Sequence, residues 1–265
     1  MMRALWSAAS GMIAQQTNMD VVAHNLANVN TYGNKKVRAE FQDLLYQTLR
    51  DPGGASSNST TYPQGKQVGL GVRVAATHRI FTQGPLETTE NPLDVGIQGD
   101  GFFQIQLPSG DFAYTRDGSF KIDSDGQLRT TDGYAISGIT AAIPATVAHE
   151  SIVIAQDGTV SYTNAEGTST QVGTIELYRF INPEGLTSIG KNLFRANDAS
   201  GNATLINLNN AGESNSLAQG TIEMSGVQVV EEMVNMIVAQ RAYESNSKAI
   251  TTSDSMLEIA NQLKR

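Results

Sequence analysis

Apolar residues recur at helical spacing near both ends of the chain, and the long middle shows a different pattern. From Ala4 to about Asn28 there is no proline, and Leu5, Met12, Met19 and Leu26 fall at every seventh position. Ala8 or Ala9, Val22 and Ala23 occupy the adjoining positions, so the apolar set lies on one face of a helix. Roughly Thr221 to Leu263 is also free of proline. Here Val229, Met233, Met236, Tyr243, Ile250 and Leu257 are spaced by three, four or seven, with Ile237 beside them, while Gln240, Ser247 and Asp254 interrupt the stripe. A helix packed on its own globular core would show a similar stripe. The two helices, however, are terminal and separated by a long stretch of different character, which predicts that the ends meet as a coiled-coil-like unit.

The middle is patterned as β-structure. Asp-Gly occurs at Asp100-Gly101, Asp117-Gly118, Asp125-Gly126, Asp132-Gly133 and Asp157-Gly158, a dipeptide suited to the positive φ of tight turns. Short apolar runs lie between, among them Phe102–Leu107 and Ser119–Ile122, and Gly173 to Phe180 alternates at period two as a half-buried strand does. This spacing predicts an antiparallel sandwich or barrel-like domain rather than βαβ units. Thr48 to Gln67 is rich in Gly, Ser, Thr and Pro, the composition of a flexible loop or of an extended arm ordered against neighbours. The expected fold is therefore mixed α and β. Residues 1–30 and 221–265 form a paired helical unit, 31–74 an extended arm or hairpin, and 75–220 a central antiparallel β-rich domain.

Composition narrows the function. The 18 Lys and Arg against 26 Asp and Glu give a net charge of -8, and no basic stripe exists to track phosphates, so nucleic acid is not an expected partner. Only 17% of residues are charged, below the roughly 25% usual in soluble domains, and a surface rich in amides and hydroxyls is permissive toward protein contacts. The absence of cysteine removes disulfides, thiolate metal sites and cysteine nucleophiles. No run approaches the roughly 18 apolar residues that span a bilayer. Ser7, Ser10 and Gly11 break the apolar N-terminal stretch and Gln15-Gln16 ends it, so no cleavable signal is expected.

Candidate chemistry is sparse. His24, His78 and His149 have no near-neighbour spacing. Asp123-Ser124-Asp125-Gly126 opens like a calcium loop, but Tyr134 stands where the bidentate Glu belongs. Ser245-Asn246-Ser247-Lys248 matches SxxK without its companion elements. Gly69-Leu70-Gly71 and Gly96-Ile97-Gln98-Gly99 precede no helical pattern, so neither cradles phosphate. Asn58-Ser59-Thr60 and Asn202-Ala203-Thr204 are glycosylation sequons in form alone. The expectation is a protein with no catalytic residues, metal or cofactor, and not an enzyme.

Asn25-Leu26-Ala27-Asn28-Val29-Asn30-Thr31-Tyr32-Gly33 resembles the signature of the bacterial flagellar rod and hook proteins. Asn34 stands where that family usually has an aromatic, before Lys35 and Lys36. Phe41–Tyr46, Asn91–Phe103 and Tyr114–Phe120 are similar to later blocks of the family, and Glu232–Ile237 with Ala239–Lys248 to its C-terminal helix. Ser225-Gly226-Val227 departs from the usual Ser-Asn-Val. Within the family, the stretch from Tyr46 to Arg73, with Pro52, Gly53, Pro63 and Gly65, looks like the extension of distal-rod subunits. The resemblance implies a structural subunit exported by the flagellar type III apparatus without a cleaved signal. It would polymerise helically into a straight hollow shaft crossing the periplasm. The assembly interface would comprise Leu5, Met12, Met19, Val22, Leu26, Asn28, Val229, Met233, Met236, Ile237, Tyr243, Ile250 and Leu257. Implied partners are further copies of the chain, proximal rod proteins, hook protein, the outer bushing rings and the rod cap and export apparatus. A hook or proximal rod subunit is the alternative within the family, and a secreted cell-wall-acting β-rich enzyme the alternative outside it.

Overall fold

A computed structural model describes residues 2–53, 55–57, 60–139, 141–144, 147, 151–164, 168–208 and 215–263. Gly54, Asn58, Ser59 and His149 lie outside the described residues. The chain forms two compact units, one from Met1–Ala27, Val37–His78 and Gln228–Arg265, the other from Asn28–Lys36 and Arg79–Val227.

The first unit is built on two antiparallel helices, α1 (Met2–Ala27) and α2 (Val229–Gln262). Their mutual register is fixed at two points. Asn25 Nδ2 lies 3.3 Å from Glu232 Oε2, and a Cβ placed on Gly11 would fall 2.8 Å from Asn246 Nδ2. Ala8, Ala14, Val22 and Asn25 are the buried residues of α1, and Glu232 and Ala239 those of α2. The seam is thus lined largely by small and polar side chains, which lets the backbones approach closely. Beside the helices, the strand Val37–Asp43 pairs with Val72–Arg79.

The second helix starts at Val229, well after the expected Thr221. Thr221–Glu223 is instead a strand antiparallel to Leu86–Thr88, continued by a hydrogen bond from Met224 N–H to the Pro85 carbonyl at 2.9 Å. Ile222 and Glu223 are buried there, and burial of a β-branched side chain in a sheet overrides the absence of proline. Glu231 and Glu232 then occupy the first turn of α2, where the helix dipole favours negative charge.

The second unit is antiparallel β throughout its described pairings. Its nine-stranded sheet runs in the order Lys121–Ile122, Leu128–Arg129, Ala135–Ile136, Phe102–Gln106, Phe112–Thr115, Leu193–Arg195 and Thr187–Gly190. Leu177–Arg179 also pairs with the start of Phe102–Gln106 and carries Thr204–Ile206 on its other side. A three-stranded sheet (Ile152–Ile154, Thr159–Thr163, Ser169–Thr174) and the pair Val95–Gln98 with Ser216–Gln219 join it, in addition to the pair Leu86–Thr88 with Thr221–Glu223. Val95, Ile97, Phe103, Val160, Leu177 and Leu217 belong to one buried cluster drawn from three of these sheets. The strand expected over 173–180 is two strands in two sheets. Between them Ile175 donates its N–H to Gly158 rather than to a sheet neighbour, and Ile175 and Leu177 both point into the core. The buried positions are Val172, Ile175, Leu177 and Phe180, so the period-two phase shifts where the chain passes from one sheet to the other.

The Asp-Gly turns serve two purposes. Gly133, at φ 84°, closes a turn with nothing within 4 Å of its missing Cβ. Gly118 has no such φ; its Cβ would lie 1.8 Å from the Val95 carbonyl oxygen, so glycine is required for close approach. Gly118→Ala should therefore destabilise the β unit by about 1–3 kcal/mol through overpacking. Gly133→Ala should cost about 1 kcal/mol, from the left-handed backbone alone. Urea unfolding of the two variants checks the order.

Candidate assembly surface

Because the seam holds small residues, the large apolar side chains of the helices lie at its edge or outside it. Val22 is buried, and Leu5, Met12, Met19, Leu26, Met236, Ile250 and Leu257 are half-buried. Val229, Met233, Ile237 and Tyr243 are exposed. Asn28 is not on a helix. It sits in the turn after α1, where its carbonyl accepts from Thr31 N–H at 3.2 Å and from Asn34 Nδ2 at 3.3 Å. The residues expected to form one interface are therefore divided among the seam, its edges and the outer helix faces.

The outer face of α2 carries more than the heptad positions. Val230, Val234 and Val238 are exposed beside Met233 and Ile237, and Met256, Ile259 and Leu263 continue the same face near the helix end. On α1, Met2, Trp6 and Ile13 are likewise exposed, Trp6 to 72%. Such a concentration of uncovered apolar side chains marks a protein-contact surface.

The segment between the two strands Val37–Asp43 and Val72–Arg79 is a two-stranded ribbon. Tyr46–Arg50 runs antiparallel to Lys66–Gly69, and further out Ala55–Ser57 pairs with Thr60–Thr61. Every side chain of Tyr46–Arg50 is exposed. Pro52 and Gly65 meet, since a Cβ on Gly65 would lie 2.8 Å from Pro52 Cδ; Gly53 makes the adjoining turn at φ 80°, and Pro63 is exposed. The Arg50 guanidinium lies 4.0 Å from the centre of the Tyr62 ring. At the base, Ser10 Oγ of α1 accepts from Val72 N–H at 3.3 Å, and Gly71 passes so close to Ser10 that any Cβ would collide.

The second unit contains a buried charged knot. Glu223 is 1% exposed. Its Oε1 accepts from Lys35 Nζ at 2.5 Å and from Gly84 N–H at 2.8 Å, and its Oε2 lies 3.3 Å from Arg116 Nη1. Lys35 Nζ also donates to the Thr82 carbonyl and Arg116 Nη2 to the Gly99 carbonyl, each at 2.8 Å. Burial lowers the pKa of Lys35, and the neighbouring Arg116 lowers it further, against the pull of Glu223. The backbone reinforces the knot. Gly33 N–H donates to the Glu223 carbonyl at 2.8 Å, and Gly33, at φ 65°, passes so near Asp117 N that a Cβ would lie 2.7 Å away. Asn34 Nδ2 reaches Ser225 Oγ at 3.4 Å, so the polar residue at the aromatic's place contributes hydrogen bonds inside the unit. Gly226 is exposed with open space around it.

Sequence reasoning missed Lys35, Arg116 and Glu223, and it missed the role of Asn25. In the first unit Asn25 is buried and acts like a strand edge toward Val37, donating to its carbonyl at 2.8 Å and accepting its N–H at 2.9 Å. The available signals were an Asn repeated through the signature and a Lys directly after it; the distant partners leave no local trace. His24 and His78 lie on α1 and on the strand Val72–Arg79. Among the described residues, no three His, Cys, Asp or Glu are grouped to hold a metal, and no helix is long and apolar enough to cross a membrane.

The knot buries two cations and one anion, with the exposed Asp100 carboxylate acting on both cations as well, which decides how it responds to substitution. Glu223→Gln leaves Lys35 and Arg116 together without a buried counter-charge and should cost about 3–5 kcal/mol. Lys35→Met leaves the neutral Arg116–Glu223 pair and should cost less. Urea unfolding followed by circular dichroism gives both values.

Three family models match the chain. "Flagella basal body rod protein" covers residues 5–35, "Flagellar hook protein FlgE/F/G D1 domain" 96–162, and "Flagellar basal body rod FlgEFG protein C-terminal" 218–263. These correspond to α1 with the signature, to much of the β unit, and to α2 with its approach. Among curated proteins, the flagellar basal-body rod protein FlgG of Borreliella burgdorferi is 52% identical, with 100% of each chain covered. That of Buchnera aphidicola from Schizaphis graminum is 48% identical over 99% of this chain and 100% of the relative. That of Caulobacter vibrioides is 46% identical over the same shares. The full-length likeness takes in both helices, the ribbon and the knot: this chain belongs to the FlgG family of flagellar basal-body rod proteins.

Proposed function

We propose that the chain is the subunit of the flagellar distal rod, polymerising helically into a straight hollow shaft that transmits torque from motor to hook. The observation that carries this reading is the uncovered apolar face of the helical pair, led by Val230, Met233, Val234 and Ile237. Burying each such side chain contributes about 1.5–3 kcal/mol, a gain open to the subunit through contact with another protein. A contact in which two different patches of identical chains meet generates a filament when its rotation does not close.

The ribbon over 46–73 supports the distal rod over a hook subunit. It is long and exposed, and its described strands have no core of their own, so its rigidity in an assembly would come from lying across neighbours. The finer partners follow from position in a rod: proximal rod proteins at one end, hook protein at the other, bushing rings around it and a cap during growth. Export through the flagellar type III apparatus and a place across the periplasm belong to the same proposal.

Met233→Asp should abolish polymerisation while leaving the monomer folded, because this side chain is half exposed in the subunit and would be buried without a partner in the polymer. Sedimentation and circular dichroism test the two halves, and normal filaments from the variant would refute the interface. Deletion of Arg50–Gln64 should give filaments that bend more easily, read as a shorter persistence length in electron micrographs; straight filaments of unchanged stiffness would reduce the ribbon to a linker.

A further inference from the structure

Two apolar stripes lie uncovered on the helical pair, one on each helix. Gly11 stands opposite Asn246 and Asn25 opposite Glu232, so positions of α1 and α2 that are level with one another sum to 257. The α1 stripe, Met2, Trp6 and Ile13, is centred near position 7, level with position 250. The α2 stripe, Val230, Met233, Val234, Ile237 and Val238, is centred near position 234. The two centres are therefore about 24 Å apart along the pair at 1.5 Å per residue. At about 100° per residue, the α1 stripe lies about 140° around its helix from Gly11 and Asn25, and the α2 stripe about 170° from Glu232 and Asn246. Both stripes face away from the seam, on opposite flanks and toward opposite ends of the pair.

The stripes differ in shape and in the charge around them. Met2, Leu5, Trp6 and Ala9 line an open cleft on α1 whose walls are almost wholly apolar. Val230, Val234 and Val238 follow one another at four-residue steps on α2, the spacing of a ridge that packs into the groove of a neighbouring helix. Toward the cleft end the sequence places Arg3, Lys264 and Arg265 against Asp254 and Glu258, three cations to two acids. The ridge end exposes Asp20 and Glu231, and neither helix carries a Lys or Arg there, the first in α2 being Arg241. Arg38 and Glu40 of the adjoining strand cancel. The ridge end is thus acidic and the cleft end basic.

We propose that the valine ridge of one copy packs into the Met2–Ala9 cleft of the next, so that Val230, Val234 and Val238 cover Trp6. This rests on the reading of the chain as a self-assembling subunit and names which two patches meet. A rigid subunit cannot turn stripes on opposite flanks toward the same partner. The contact therefore leaves one free ridge and one free cleft on every pair of copies, and it propagates instead of closing.

Trp6 is the chain's single tryptophan and there is no cysteine, so both probes report on one place each. In purified full-length protein, assembly is followed by light scattering while Trp6 emission and its quenching by acrylamide are recorded. Wild-type emission should move to shorter wavelength and quenching should fall as scattering rises. Val234→Asp should remove both changes with the monomer's circular dichroism intact, as should Val230→Asp at a position 76% exposed in the subunit. In parallel, a chain carrying both Ala9→Cys and Val234→Cys is assembled and oxidised. Position 9 is level with position 248, about 21 Å along the pair from position 234, which is beyond the reach of a disulfide within one chain. A ladder of linked dimers, trimers and longer species should form. A ladder that stops at the dimer overturns the propagating contact. Scattering that rises with Trp6 still quenchable, or with no linked species, overturns this contact and leaves the polymer reading standing. Scattering that never rises overturns both.

Discussion

The structure turns on two helices that meet through side chains too small to satisfy them. Ala8, Gly11, Ala14 and Ala239 bring the backbones together, and a seam that narrow has no room for Met233, Ile237, Trp6 or Ile13. The hydrophobic effect is roughly proportional to area removed from water, so a pair of this kind gains less from its own closure than its composition could supply. The remainder stays on the outer faces. Close packing within the subunit and an unsatisfied exterior are one fact seen from two sides. The polar residues in the seam add definition, since Asn25 and Glu232 hold a single register where small apolar residues would tolerate sliding.

Much of this was legible from the sequence, and the parts that were not share a physical cause. The heptad Leu5, Met12, Met19, Leu26 located the first helix and the face near its partner, yet those residues flank the seam. Hydrophobic periodicity follows large side chains, whereas a close helix crossing is made by alanine and glycine, which weigh little in any such count. Asp-Gly marked turns well at Gly133 because a turn is local; it gave no hint that Gly118 answers to the Val95 carbonyl. The second helix begins at Val229, later than the start of the proline-free stretch, because the absence of proline permits a helix without requiring one and Ile222 has a sheet to enter. The ribbon's composition suggested either a loop or an arm, and composition carries no sign of the pairing between Tyr46–Arg50 and Lys66–Gly69 that makes it a two-stranded ribbon.

The charged knot is the least legible element and the one that gives the signature its sense. Gly33, Asn34 and Lys35 follow the first helix, and Glu223 and Ser225 precede the second. Their hydrogen bonds fasten the outgoing and returning strands of the chain to one another inside the β unit. Asn34 fits because the site offers acceptors, and a side chain at Gly226 would face open space. A buried ion cluster is a weak source of net stability; what it supplies here is a fixed meeting point for two segments that composition alone would leave as linkers.

That meeting point lies far apart along the chain. Lys35 and Glu223 are 188 positions distant, and the entropy of closing so long a loop rises only slowly with its length, so distance itself is no obstacle. Order of arrival is. A chain emerging from its N-terminus presents Lys35 early, Arg116 midway and the carboxylate that reconciles them only near the end. Until then Lys35 and Arg116 lack the one buried carboxylate of their site, and withdrawing both from water is disfavoured. A polypeptide broken off anywhere before residue 223 is left with that unmet charge.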